Sequence, residues 1–396
     1  MKKIITILVC FLLSGFLFAL DLELTGEFKT GFYTEWKEIE NVKTTNSRLF
    51  NNEDAGGKEG RIRMGINLTE ENFGIRTRFS QQEFFRGTSS ADEILIRMVI
   101  DYTYAYINVF DNQLKFSAGL LGESPWGTGG PDLDEQLECV PFGGPPVMGL
   151  RTEWKPAFLP GLSLGFVLNK AEDKFPQDAT IVFGDLFLES IVGIVWENEY
   201  FAFRFGYRFD RAVDGPTAAV RFGDRFTYRV EARILTKLIP DFSVWANGYG
   251  FGLNTEGKSA GHGTIPGFIM NWLYILYEPE QFSTGINTGF RDGFFLNEQL
   301  LEVNPFFYLK FFNNVLNVGL KAGMEFGFNN GKAFKKEDGY DIFYNNWFVE
   351  PKIKLNINNN LYTEFVYRYI SHAFESLDIK KDNTTQWFNI RLVLTL

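Results

Sequence analysis

The chain has 396 residues, a formal net charge of −10, and 43 Phe, 16 Tyr and 8 Trp against only two His and two Cys. With 39 Lys and Arg set against 49 Asp and Glu, it lacks the concentrated basic surface that nucleic acid requires, and two Cys exclude a disulfide framework or a Cys-rich metal centre. Two distant His leave little material for a zinc or triad enzyme, and a hydrophobic fraction of 45% with 22% charged residues excludes a disordered chain.

Lys2 and Lys3 precede an apolar run from Ile4 to Leu20 that is broken only by Thr6, Ser14 and Gly15. A basic segment followed by a short apolar one reads as a secretory signal peptide over residues 1–19, with cleavage expected after Ala19. Cys10 follows Val9 and lacks the small residue expected before a lipidated Cys. No later apolar stretch reaches the roughly 20 residues of a membrane helix, which excludes a helical inner-membrane protein. Residues 20–396 read as one domain.

Beyond the signal segment, the chain alternates with a period of two. Ile62, Met64, Ile66 and Leu68 oppose Arg61, Arg63, Gly65 and Asn67, and Phe73, Ile75, Thr77 and Phe79 oppose Gly74, Arg76, Arg78 and Ser80. Phe201, Phe203, Phe205, Tyr207 and Phe209 alternate with Ala202, Arg204, Gly206, Arg208 and Asp210. Leu316 to Phe326 and Phe388 to Leu396 repeat the pattern. Successive side chains of a strand point to opposite sides, so each segment has one apolar and one polar face.

Connection lengths decide what the apolar face meets. Short turns are expected at Thr69–Asn72, Asp111–Gln113, Lys155–Gly161, Glu197–Glu199, Lys237–Asp241, Glu278–Gln281, Phe312–Val315 and Asn356–Asn360. Between them lie Gly-, Asp- and Asn-rich loops near 37–59, 84–94, 122–147, 169–189, 211–224, 254–265, 291–298, 329–345 and 371–384. A soluble sandwich has no reason to keep its long loops at one end. A transmembrane antiparallel up-and-down β-barrel does, with short periplasmic turns and long extracellular loops. The alternation predicts an all-β fold of about 18 strands, with 16 as the alternative. Trp36, Trp154, Trp196, Tyr207, Phe209, Trp347 and Tyr369 fall near strand ends, where interfacial girdles sit.

The signal segment, alternating strands, one-sided long loops and apolar terminal strand resemble the porins of bacterial outer membranes over nearly the whole mature chain. Porin terminal strands usually finish in an aromatic residue, whereas this chain finishes in Leu396. The resemblance implies an outer-membrane location in a diderm bacterium, insertion by the barrel-assembly machinery, a homotrimer, and passage of small hydrophilic solutes and ions. It also implies that the third long loop folds into the lumen opposite a basic wall. That loop carries Glu123, Asp132, Asp134, Glu135 and Glu138, while lumen-facing parity supplies Arg61, Arg63, Arg76, Arg78 and Arg97. Independently of the resemblance, an Arg facing lipid at the midplane costs roughly 2–4 kcal/mol, so these side chains must face water or acid.

Other chemistry has little support. His262 and His372 fall in expected loops, which argues against an enzyme. Asp132 to Glu138 lacks the spacing and central Gly of a calcium loop, and no cofactor, catalytic residue or metal is expected. The sequence reading is thus a passive porin with weak anion preference, moderated by the acidic loop. A surface adhesin and a ligand-specific channel are the alternatives; inward Tyr33, Trp245, Tyr249, Phe306, Tyr308 and Tyr362 suit the latter.

Overall fold

The computed structural model describes residues 21–39, 42–49, 61–81, 98–121, 147–169, 190–209, 225–251, 268–293, 298–328, 346–376 and 379–395. The strands are β1 (Asp21–Ile39), β2 (Val42–Leu49), β3 (Arg61–Thr69), β4 (Phe73–Gln81), β5 (Met98–Val109), β6 (Leu114–Leu121), β7 (Val147–Trp154), β8 (Leu162–Asn169) and β9 (Ile191–Glu197). They continue as β10 (Ala202–Arg208), β11 (Arg225–Glu231), β12 (Phe242–Phe251), β13 (Phe268–Tyr277), β14 (Phe282–Gly293) and β15 (Glu298–Phe311). The last are β16 (Leu316–Phe328), β17 (Trp347–Asn358), β18 (Leu361–Ser376) and β19 (Ile379–Thr395). A short helix, α1 (Arg233–Leu238), lies between β11 and β12.

Each strand pairs antiparallel with its sequence neighbours, except that β2 and β3 both pair with β1, and β19 closes on β1, with Glu27 opposite Thr395 and Glu38 opposite Thr384. The upper half of β1 pairs β2, from Ile39 opposite Val42 to Phe32 opposite Leu49. Its lower half pairs β3, from Lys29 opposite Arg61 to Asp21 opposite Thr69. β2 and β3 therefore occupy one lane, and 19 strands make an 18-strand closed barrel. The closed sheet removes the edges that an open sheet would expose to lipid.

All eight expected short connections join strands at the end of the barrel that holds Asp21 and Thr395. Phe110, Asp111 and Asn112 take φ of 53°, 52° and 64°, and Phe312, Asn313 and Asn314 repeat this at 53°, 53° and 67°. Asn and Asp tolerate this left-handed region better than other residues with a Cβ, which suits them to these turns. Asn198 closes its turn by accepting the Tyr200 and Phe201 backbone N–H groups at 2.8 and 2.9 Å. Gly161, at φ 83°, leaves space for the Glu197 carbonyl, which would lie 1.8 Å from a Cβ at that position.

Two expected loop boundaries shift. Residues 37–39 and 42–49 are strand, as are 371–376 and 379–384. Lys37 pairs with Glu35 at 3.0 Å and Lys43 with Glu38 at 3.6 Å. Above the lipid both faces of a sheet are wet, so a polar hairpin keeps its ladder without apolar alternation. His372 accordingly lies in β18 and not in a loop. The turn expected at Lys237–Asp241 is preceded by α1, which holds Arg233 at the short-turn rim of the barrel.

The outward face is apolar and uncovered. Ile75, Ile107, Phe116, Leu150, Phe307, Leu320, Ile353 and Leu392 are between 37% and 57% exposed. In water, burying such side chains would be favourable by roughly 1.5–3 kcal/mol each, so a belt of this kind belongs against acyl chains. Asn271, which shares the outward parity of Leu273, accepts the Tyr228 hydroxyl at 2.6 Å, leaving its carbonyl satisfied in an apolar setting. Aromatic pairs mark both rims: Trp154 with Phe158 and Trp196 with Phe201 near the short turns, Tyr207 with Phe209 and Trp347 with Tyr369 at the other end.

Candidate functional site: the lumen wall

The polar parity of the strands points inward, and the lumen wall divides into three chemically distinct sectors. The first spans β3 to β7. A bulge in the β4–β5 ladder pairs Arg78 with Tyr102 but Phe79 with Ile100, leaving Asp101 as the extra residue. The insertion reverses the parity of β5, so that Ile100 and Ile107 are both exposed outward while Tyr102, Tyr104 and Tyr106 share the inward face. Cations lie over these rings. Arg78 is 4.8 Å from the Tyr102 centroid, Arg151 5.1 Å from Tyr104, and Arg76 and Lys115 5.7 and 4.4 Å from Tyr106. Each such contact is worth about 0.5–2 kcal/mol and holds a long flexible cation against the wall. Gly74 permits this, since a Cβ there would meet the Tyr106 ring at 2.8 Å. Arg151 also pairs with Glu153 at 3.0 Å, and Arg63 with Glu27 at 3.6 Å.

Of the residues expected from sequence, Arg63, Arg76 and Arg78 therefore stand on the inward face of adjoining strands. Arg61 is opposite Lys29 in the β3–β1 ladder. Arg97 and the loop residues Glu123, Asp132, Asp134, Glu135 and Glu138 lie outside the described residues. The tyrosines and Lys115 were not anticipated. The alternation Tyr102-Thr-Tyr-Ala-Tyr106 was the available signal, but the bulge beside it conceals which parity faces inward.

The second sector is ionic and runs over β16 to β19. Glu364 is buried and accepts the Arg391 Nε at 3.0 Å while holding the Lys352 ammonium at 2.9 Å. Arg391 Nη2 also donates to Glu364. Farther along β18, the Arg368 guanidinium pairs with Glu350 and lies 4.7 Å from the Phe348 ring and 5.0 Å from the Trp387 ring. Below this network, a cavity of about 630 Å³ opens at the short-turn end, bounded by Phe306, Tyr308, Lys310, Lys354, Tyr362 and the Asn residues of the flanking turns. All six inward aromatics expected from sequence are inward or buried: Phe306, Tyr308 and Tyr362 line the cavity, Trp245 and Tyr249 belong to one ring cluster, and Tyr33 packs with Trp387 and Val366.

The third sector, on β12 to β15, carries rings and carboxamides. Trp245, Trp272 and Tyr274 form a buried cluster with Tyr249 packed against it, and Asn247, Asn287 and Asn304 are buried beside them.

At the periplasmic rim, α1 staples two turns together. The Arg233 guanidinium donates to the Asn198 carbonyl at 3.1 Å and reaches Glu197 at 3.4 Å, and Arg204 donates to Glu197 from Nε at 2.9 Å. Lys237 bonds Glu199 and lies 4.8 Å from the Tyr200 ring. The hydrogen bond from Lys237, with another from Tyr200, holds the exposed Glu199 carboxyl below its ordinary range. Among the described residues, no three His, Cys, Asp or Glu side chains converge to hold a metal ion.

The chain thus forms a closed 18-strand antiparallel barrel with an apolar outer belt and a charged inner wall, the architecture of transmembrane β-barrels. No protein-family model and no curated protein matches the sequence. Solved structures share the fold. OccK11 (OpdR) of Pseudomonas aeruginosa superposes with a TM-score of 0.51 at 10% identity, covering 95% of this chain and 96% of that one. OccK5 (OpdH) of the same organism gives 0.50 at 8% identity, covering 95% and 98%. The outer membrane channel DcaP of Acinetobacter baumannii gives 0.49 at 10% identity, covering 96% and 98%.

Proposed function

We propose that this barrel is a passive outer-membrane channel for small hydrophilic solutes, with a weak preference for anions. The observation that carries this reading is the basic ladder of the first sector. Arg76, Arg78, Lys115 and Arg151 stand on inward strand faces, held on tyrosine rings, where an ion passing along the wall meets one cation after another. Eighteen strands enclose a lumen too wide for wall side chains alone to fill, and rings of fixed charge filter ions by sign. The acidic third loop, with Glu123, Asp132, Asp134, Glu135 and Glu138, narrows the pore opposite this ladder and moderates its preference. Residues 1–19 direct export, residues 20–396 form one domain, the barrel-assembly machinery inserts the chain, and three copies associate.

Reversal potentials in a salt gradient across a planar bilayer test the reading. The wild type should favour anions weakly, and Arg76→Glu with Arg78→Glu should move the reversal potential toward cations. Deletion of residues 128–144 should raise single-channel conductance. Clear cation selectivity in the wild type, or no shift in the double variant, would remove the ladder from the permeation path.

A further inference from the structure

The third sector has polar atoms that nothing in the described structure satisfies. Asn247 and Asn287 are 0% and 2% exposed, and both the Nδ2 and the Oδ1 of each lack a hydrogen-bond partner. The Asn304 Oδ1 and the indole N–H groups of Trp245 and Trp272 are in the same condition. These are neighbours on one panel: Asn247 is opposite Trp272, Trp245 opposite Tyr274, and Asn287 lies between Tyr274 and Asn304 in the ladder. Buried polar groups are ordinarily paired, so a cluster of orphans on a lumen wall marks a place where something else supplies the partners.

The rings beside them lie flat. A Cβ at Gly289 would come within 2.9 Å of the Trp272 indole, and one at Gly285 within 2.8 Å of the Phe306 ring. Both glycines share the inward parity of Asn287, so two rings lie across β14 on either side of that carboxamide. Trp245 stacks on Tyr274 at 5.0 Å between centroids and 11° between planes.

The mixture of orphans identifies the partner's chemistry. Four are donors, two amide and two indole N–H groups; three are amide carbonyl acceptors. A carboxylate or phosphate would satisfy the donors and strand the acceptors, and an ammonium would do the reverse. Hydroxyl groups donate and accept together. Glu302, opposite Gly289 in the ladder, adds a carboxylate at the margin that disfavours an anionic occupant. Apolar ring faces beside carboxamides match a molecule whose faces are C–H and whose edges are hydroxyl. We propose that the β12–β15 panel is a binding subsite for a neutral, polyhydroxylated solute of the sugar class. It lies within the channel and rests on the channel reading given above.

Maltose added to single channels in a planar bilayer tests it. The expected result is a saturable, concentration-dependent interruption of the ion current. Asn247→Leu with Asn287→Leu should raise the half-blocking concentration on the order of tenfold while leaving open-channel conductance near the wild-type value. Trp272→Phe keeps an aromatic face and removes the N–H, so it gives a milder loss and covers the case where the amide variants fail to fold. Titration of the detergent-solubilised protein with maltose should change its tryptophan emission. Ion conductance with no saturable block and no fluorescence response leaves the panel holding ordered water only; it overturns the subsite and spares the channel. A block that survives all three substitutions also overturns the subsite. A chain that conducts nothing sinks the channel reading, and the fluorescence titration then decides the subsite by itself.

Discussion

Replacing Glu364 by Gln isolates the electrostatics of the lumen wall. The carboxylate is 2% exposed and sits 2.9 Å from the Lys352 ammonium and 3.0 Å from the Arg391 Nε. At an effective dielectric constant of about 20, a single pair 2.9 Å apart attracts by about 6 kcal/mol before desolvation is charged against it. Desolvation of the three ions cancels much of that gain, so the intact network contributes little net stability. The substitution is costly because it removes the carboxylate that two cations, withdrawn from most of their water, share, which amounts to about 3–5 kcal/mol. The double variant Glu364→Gln with Lys352→Met removes one of the stranded cations and should recover about 0.5–3 kcal/mol of the loss. Reversible unfolding in urea from phosphocholine vesicles, followed by gel mobility and tryptophan emission, measures both numbers. A loss below about 1 kcal/mol for Glu364→Gln would mean that the wall at this point is solvated well enough to screen the cations, and the reading of Glu364 as their buried counter-ion would fall.

Other consequences are simpler to read. Leu150, 57% exposed on the outer face, should tolerate Arg poorly; Leu150→Arg is expected to lose about 2 kcal/mol or more in the same vesicle assay, and a loss under about 0.5 kcal/mol would put this position outside the acyl region. At the rim, the Glu199 carboxyl titrates lower in the folded protein than in the unfolded chain. Its pairing with Lys237 therefore contributes fully above the ordinary Glu value of 4.5 and is lost as pH falls through the lowered one. Hydrogen exchange in α1 should quicken on acidification through that window, and Lys237→Met should remove the pH dependence; an unchanged profile would show that the pair does not hold the helix.

Much of the barrel was legible because a lipid-facing strand has no freedom in its pattern. Every second residue between the headgroups must be apolar, so Ile62 to Leu68 and Leu316 to Phe326 announce themselves, and the short turns between them stand out as polar breaks. The pattern lapses where that constraint lapses. Val42–Leu49 and Ile379–Asn383 form strands above the lipid, where water wets both faces and polar residues pair as well as apolar ones. Their composition alone suggests loop.

Strand parity, read alone, also placed Arg63, Arg76 and Arg78 on the inner wall, because a guanidinium in hydrocarbon is too costly to be there. Parity is a local property, however, and says nothing about which distant residues meet. The β4–β5 bulge that turns Tyr102, Tyr104 and Tyr106 beneath the cations depends on cross-strand register. So does the meeting of Glu364, Lys352 and Arg391 from three strands, and so does the gathering of Trp245, Trp272 and three carboxamides on one panel. Alternation along a single strand fixes inside from outside; only closure of the sheet, which sets the stagger of each strand against the next, decides what the inside presents to a passing solute.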